Sequence, residues 1–411
     1  MRGRVSSRVL IVLVLACGAA LPDRGARAQP AIAIAADYKA DASFLSPAPD
    51  GATSLLLLSR PVSPDTAKPS ALPPRLELLS FDAAGSATRR VQVDRAVADA
   101  MAADGPSRCQ QFATAAKDGG FVVITSKGYE KTPLAVLATV FVLAPDGGVR
   151  RTIDIGHPAF ATDEFRKRWD VGLCVRIASP GPDGSLLLTG SYVASLGIGD
   201  EHPWWAVFDA GGREIAQAGR EDEAGDIIAA RRGEDGKLST VRQVHHDSQR
   251  VGRLSTDLSL RLQPRTGAPP RTIVLEKNEF LSRAVFTAGE LAVVSISNRW
   301  TKECSFTIGF YSLDGRRLRS RPYLGAVRPP ACDAPPGDGM PDGLKADGEG
   351  FLAEIEQSYD GSAPVLARFD REGRVAWRSP HVRYPAVARR ANGALVAIEE
   401  TPAGLLLRDL P

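Results

Sequence analysis

CVRIASPGPDGSLLLT, residues 174–189, and WWAVFDAGGREIAQ, residues 204–217, together spell out one complete structural unit. Cys174-Val-Arg-Ile-Ala-Ser179 reads as a strand, Asp183-Gly184 turns it, and Ser185-Leu-Leu-Leu-Thr189 returns antiparallel. After a polar loop, Trp204-Trp-Ala-Val-Phe-Asp209 supplies a third strand. Gly211-Gly212 then turns the chain into a fourth, Arg213-Glu-Ile-Ala-Gln217. Four short antiparallel strands joined in this way cannot bury both faces alone and must stack on copies of themselves.

The copies are present. Gly51, Gly119, Gly184, Gly236, Gly289, Gly348 and Gly393 each precede a short β-rich apolar run. Five follow Asp (Asp50, Asp118, Asp183, Asp235, Asp347), one follows Asn392 and one Ala288, which is the chemistry of a two-residue hairpin turn needing positive φ. The second hairpin recurs as Phe81-Asp-Ala-Ala-Gly85, Leu143-Ala-Pro-Asp-Gly147, Phe208-Asp-Ala-Gly211, Tyr311-Ser-Leu-Asp-Gly315 and Phe369-Asp-Arg-Glu-Gly373. In the fourth copy Leu254-Ser-Thr-Asp-Leu258 carries Leu at the glycine position, so an irregular or wider turn is expected there. The seventh copy, from Asn392-Gly393 to Gly404-Leu-Leu-Leu-Arg408, is one strand short, and Ala31-Ile-Ala-Ile-Ala35 has the alternation to supply it. The expected fold is all-β: a seven-bladed β-propeller of four-stranded antiparallel blades, its ring closed by the N-terminal strand joining the last blade. Six or eight blades are the alternatives.

At the level of pattern the whole mature chain resembles the exported β-propeller repeat proteins. Phe369-Asp-Arg-Glu-Gly-Arg-Val-Ala-Trp377 looks like the quinoprotein-type repeat, in which a tryptophan after the turn glycine docks one blade on the next. The tryptophan occurs in this copy alone, and no quinone cofactor is inferred from it.

Arg2, Arg4 and Arg8, an apolar run from Val9 to Leu21, and Ala26-Arg27-Ala28 have the order of an export signal. The expected division is therefore a signal peptide over 1–28 and a single propeller domain over 29–411, in the periplasm or outside the cell. A second reading of the same stretch is lipidation at Cys17. No later segment has the roughly 18 consecutive apolar residues of a membrane span. Without residues 1–28 the chain carries 46 basic and 47 acidic side chains, so nucleic acid is not an expected partner. Cys109, Cys174, Cys304 and Cys332 remain, an even number with no Cys-x-x-Cys, which suggests two disulfides. Spacing allows three connectivities; Cys109 with Cys174 and Cys304 with Cys332 is the preferred one.

In such a blade the two glycine turns lie on one face of the disc and the longer loops on the other. Those longer loops are 86–108, 156–173, 264–280 and 322–341. Asp41, Asp226, Glu279 and Asp338 each stand ten residues before a turn glycine, as does Arg383 in the last blade. Carboxylates set around a channel mouth would suit Ca²⁺ or Mg²⁺; solvated strand starts are the plainer reading. Aromatic and basic residues gather on the same face: Arg168 and Trp169, His202 before Trp204 and Trp205, Arg299 and Trp300. Trp204 and Trp205 are strand neighbours pointing to opposite faces, and are expected to pack between blades. His245-His246-Asp247 lacks a third nitrogen ligand at matching spacing. No nucleophile elbow, phosphate loop or zinc-protease motif occurs. The expectation is a non-catalytic exported scaffold that binds a protein, glycan, small molecule or other envelope ligand on the long-loop face. The alternative is a propeller hydrolase or lyase with a carboxylate or divalent-metal site at the channel mouth, served by His202 or Arg383.

Overall fold

The computed structural model describes residues 32–62, 72–103, 111–126, 135–161, 171–181, 183–194, 200–217, 226–248, 253–264, 269–297, 305–323, 341–355, 365–379, 387–401 and 404–410. They form a seven-bladed β-propeller of antiparallel blades, four-stranded except for the last. Blade 1 is Tyr38–Pro47, Thr53–Pro61, Arg75–Phe81 and Ala87–Gln92; blade 2 is Phe112–Ala115, Phe121–Ser126, Ala138–Leu143 and Val149–Ile155. Blade 3 is Val171–Pro180, Leu186–Ala194, Asp200–Phe208 and Glu214–Gln217. Blades 4 and 5 share a strand: Asp226–Arg232, Leu238–Ser248 and Arg253–Gln263 pair into Arg271–Phe286, which pairs on into Glu290–Ser297, Ser305–Ser312 and Arg317–Pro322. Blade 6 is Pro341–Asp347, Gly350–Ile355, Val365–Phe369 and Val375–Ser379, and blade 7 is Val387–Arg389, Leu395–Thr401 and Gly404–Leu410.

Strand alternation explains why these units stack. In Thr53–Pro61, Leu56 and Leu58 face blade 2 while Leu55 and Leu57 face blade 7. Among the described residues the buried apolar side chains fall into seven clusters, one for each blade-to-blade interface, including the seam between blades 7 and 1. Trp204 packs toward blade 2 and Trp205 toward blade 4, the divergence that neighbouring strand residues require. Trp377 packs between blades 6 and 7.

The turns differ from the two-residue form expected. In blade 1 the Gly51 N–H donates to the Ala48 carbonyl and the Ala48 N–H to the Ala52 carbonyl, which makes a three-residue loop ending in a left-handed glycine at φ 86°. Blades 2, 3, 4 and 7 repeat this at Gly119, Gly184, Gly236 and Gly393. The preceding acid or amide has a specific task there: Asp50, Asp118, Asp183, Asp235 and Asn392 each accept the N–H two residues on, at 3.0–3.1 Å. Blades 5 and 6 do have two-residue turns, Ala288-Gly289 and Gly348-Glu349. Gly289, the copy without Asp or Asn before it, is absent from the positive-φ glycines.

Three further expectations are corrected. Residues 254–258 lie inside the third strand of blade 4, and the turn falls after Gln263, because the Leu-Ser-Thr-Asp-Leu-Ser-Leu-Arg-Leu run keeps alternating. The 264–280 stretch is largely strand, since nothing from Arg271 to Phe286 breaks the ladder with Gly or Pro. The 86–108 stretch holds the fourth strand of blade 1 and a helix, Arg95–Ala102, capped by the Asp94 side chain on the Ala96 N–H at 2.7 Å and burying Val97, Ala98 and Met101. At the ring's seam, Ile32 makes a single antiparallel bridge with Leu405 rather than a full strand among the described residues, and Ile32 sits in the cluster between blades 7 and 1. No helix among the described residues is long and apolar enough to cross a membrane.

Candidate functional site

The glycine-turn face is occupied by structure. Arginines there reach from one blade to the next: Arg151 to the Asp209 carbonyl at 3.0 Å, Arg231 to the Thr287 carbonyl at 3.3 Å and Arg232 to Asp183 at 3.4 Å. Arg319 donates to the Arg371 carbonyl, and Arg390 reaches Thr53 Oγ1 at 3.2 Å across the seam. On the same face Asp347, at the end of the first strand of blade 6, has a side chain only 1% exposed. Burial alone would raise its carboxyl, but hydrogen bonds and charge from Arg389, at 2.7 Å, and Arg368, at 2.7 Å, hold it below the usual carboxylate range. The two-residue turn of blade 6 leaves Asp347 free of the capping task its counterparts perform, and so available to both arginines.

The opposite face carries an aromatic cluster at the junction of blades 2 and 3. His157 follows the last strand of blade 2, Tyr192 lies near the end of the second strand of blade 3, and His202 near the start of the third. His157 Nδ1 and the Tyr192 hydroxyl are 3.1 Å apart, and Phe160 stands edge-on to Tyr192 with centroids 5.6 Å apart and 6.0 Å from His202. Tyr192 is fully buried and His202 exposed, so the cluster runs from core to solvent. Beneath it a groove of about 240 Å³ is lined by Asp154, His157, Trp204, Glu214 and Gln217, among others. Partial desolvation in the groove raises the Glu214 carboxyl although the residue remains exposed, and Asp154 accepts the Thr139 hydroxyl at 3.0 Å.

A larger cavity, about 980 Å³, lies on the axis, bounded by the first strands of blades 1 to 6. Its wall is mostly apolar, with Phe44, Leu45, Phe112 and Leu344, and its charged residues among those described are Arg176, Arg283 and Lys345. Lys345 donates to the Val387 carbonyl at 2.6 Å. Burial lowers its ammonium to about 8, and the Asp347 charge offsets part of that.

Of the residues singled out from sequence, His202 joins the aromatic cluster, and Trp204 and Trp205 are core. Asp41 is exposed and paired with Arg60 at 2.7 Å; Asp226 lies 3.5 Å from Arg176; neither lines the axial cavity. The Glu279 backbone pairs with both Thr256 and Ser297, where the shared strand passes from blade 4 to blade 5. Among the described residues no three metal-ligating side chains come together. Arg168, Trp169, Arg299, Trp300, Asp338, Arg383, Cys109, Cys304 and Cys332 lie outside the described residues. Sequence reasoning missed His157, Phe160, Tyr192, Arg176, Arg283 and Lys345. The three axial cations stand at different distances from their turn glycines, so no count along the chain aligns them.

No protein-family model matches the chain, and no curated protein matches it. Among solved structures it is similar to the β-propeller domain of the Trilobed protease from Pyrococcus furiosus, at 11% identity over 90% of this chain and 98% of that one, with a TM-score of 0.47. It is also similar to a prolyl endopeptidase, at 12% identity and a TM-score of 0.44, covering 90% of this chain and 46% of the endopeptidase. The chain thus spans about half the length of that enzyme. Neither likeness bears on what this chain binds.

Proposed function

We propose that this is an exported propeller scaffold, freed of residues 1–28, that binds a protein, glycan or other envelope ligand on its long-loop face. The observation that carries the reading is the His157, Phe160, Tyr192 and His202 cluster, which reaches solvent on that face while arginine contacts occupy the other. Aromatic faces beside charged donors recognise sugars and peptides, and Arg168, Trp169, Arg299, Trp300 and Arg383 belong to the same proposed surface. A disulfide from Cys174 to Cys109, and another from Cys304 to Cys332, would stiffen it.

The test screens the mature protein against glycan and peptide arrays, then repeats any hit with His202→Ala and with Trp169→Ala/Trp300→Ala. Binding lost with the melting temperature retained is the expected result. Hits that survive all three substitutions would remove this surface from consideration. One observation favours the second reading, a hydrolase or lyase: His157, Asp154 and the raised carboxyl of Glu214 line one groove. Turnover of an ester or glycoside panel that Glu214→Gln abolishes would establish it.

A further inference from the structure

We propose that the axial cavity admits a small apolar aldehyde or ketone and that Lys345 holds it covalently as an imine. Lys345 lies on the first strand of blade 6 and lines the cavity, half-buried, together with Phe44, Leu45, Phe112, Ile177 and Leu344. The cavity's volume, about 980 Å³, is that of a small-molecule site, and its apolar wall suits the hydrocarbon part of such a ligand.

What sets Lys345 apart is its partner. The amine donates to the Val387 carbonyl at 2.6 Å and makes no ion pair among the described residues. Asp347, two residues along the same strand, directs its carboxylate to Arg368 and Arg389, at 2.7 Å each. Its charge offsets part of the effect of burial on Lys345 without closing on the amine. A carbonyl accepts a hydrogen bond from a neutral amine as well as from an ammonium, so the contact does not depend on the charge. Burial holds the ammonium near 8, which leaves roughly one side chain in ten as the free base at pH 7, against about one in three thousand at the ordinary 10.5. The free base of a desolvated lysine is the nucleophile that carbonyl chemistry uses. Its nitrogen attacks the carbonyl carbon, and the carbinolamine so formed releases the carbonyl oxygen with the two amine hydrogens as one water, leaving C=N. Nothing is oxidised or reduced. The other described lysines, Lys39, Lys117, Lys237 and Lys277, are exposed. The proposal stands on the channel alone and is independent of the long-loop surface.

The experiment incubates the mature protein at pH 7 with hexanal and, separately, benzaldehyde, in the presence of sodium cyanoborohydride. The hydride reduces an imine to a stable secondary amine, and the labelled lysines are read by peptide mass. With at least one aldehyde, Lys345 should be labelled about tenfold or more faster than Lys39, Lys117, Lys237 and Lys277. Its rate should saturate as the aldehyde concentration rises, because binding in the cavity precedes bond formation. Hexanol, the same chain without the carbonyl, should slow the labelling of Lys345 by hexanal and leave the exposed lysines unaffected. Lys345→Met should lose this label and keep the others; the rate comparison itself uses the wild-type protein and does not depend on how the variant folds. Labelling of Lys345 no faster than that of the exposed lysines with both aldehydes, or a rate linear in aldehyde and indifferent to hexanol, would overturn the proposal.

Discussion

Replacing Lys345 by Met should make the protein more stable at neutral pH, and the gain should vanish in alkali. The folded chain holds the Lys345 ammonium near 8 against an ordinary value of 10.5. Between those values the unfolded state binds more protons than the folded one, so this group's contribution to stability rises with pH across that window. Below 8 the full cost of carrying the buried charge is present, on the order of 3 kcal/mol for a gap of this size. Met removes that cost and also the hydrogen bond to the Val387 carbonyl, worth about 1 kcal/mol. The net gain at pH 7 is therefore about 2 kcal/mol. Near pH 10.5 it becomes a small loss. Urea titrations of both proteins at pH 7, 9 and 10.5 would read this as a difference in midpoint at constant slope. Burial raises the Tyr323 hydroxyl and so affects the alkaline limb, but it does so in both proteins and cancels in the difference. A Met variant less stable at pH 7, or a difference that does not change with pH, would refute the reasoning.

Asp347→Asn should destabilise by about 3 kcal/mol, because it leaves Arg368 and Arg389 facing an uncharged partner in a buried site. The wild-type carboxyl is lowered on folding, so its contribution is present above the ordinary Asp value and lost as pH falls; an acid titration of the variant should be flatter. Gly119→Ala should cost about 1–2 kcal/mol, since the position has φ +87° and a Cβ would stand 2.9 Å from that of Ala48. Gly289→Ala, with nothing within 4 Å and no positive φ, should be neutral or slightly stabilising in the same thermal melt. Trp204→Ala should cost about 3–5 kcal/mol by denaturant unfolding, as it empties the interface between blades 2 and 3.

The propeller was legible because its signals are local. An Asp-Gly pair specifies a turn within four residues, and alternating Leu-Leu-Leu or Trp-Trp runs must present both faces to neighbours, whatever lies elsewhere. The turn type was less legible: Asp-Gly suits both two- and three-residue loops, and the choice rests on where the adjoining ladder ends. Blade 4 misled because Leu254-Ser-Thr-Asp-Leu258 stands where other blades turn, although its alternation continues unbroken through the third strand to Gln263. The site was harder still. Arg176, Arg283 and Lys345 share a cavity through the closure of the ring, a relation with no counterpart in sequence spacing. Glycine counting aligned carboxylates such as Asp41, which instead pairs with Arg60 on the neighbouring strand of its own blade.

The shared strand from Arg271 to Phe286 divides the ring unequally. Elsewhere each blade owns its hydrogen-bond ladder, but at Glu279 one backbone belongs to two. Blades 4 and 5 therefore have no seam at which to part, and their amides should exchange with solvent as one cooperative block while other blades open singly. Under load, or in the grip of an unfoldase, the molecule should keep this double blade until last.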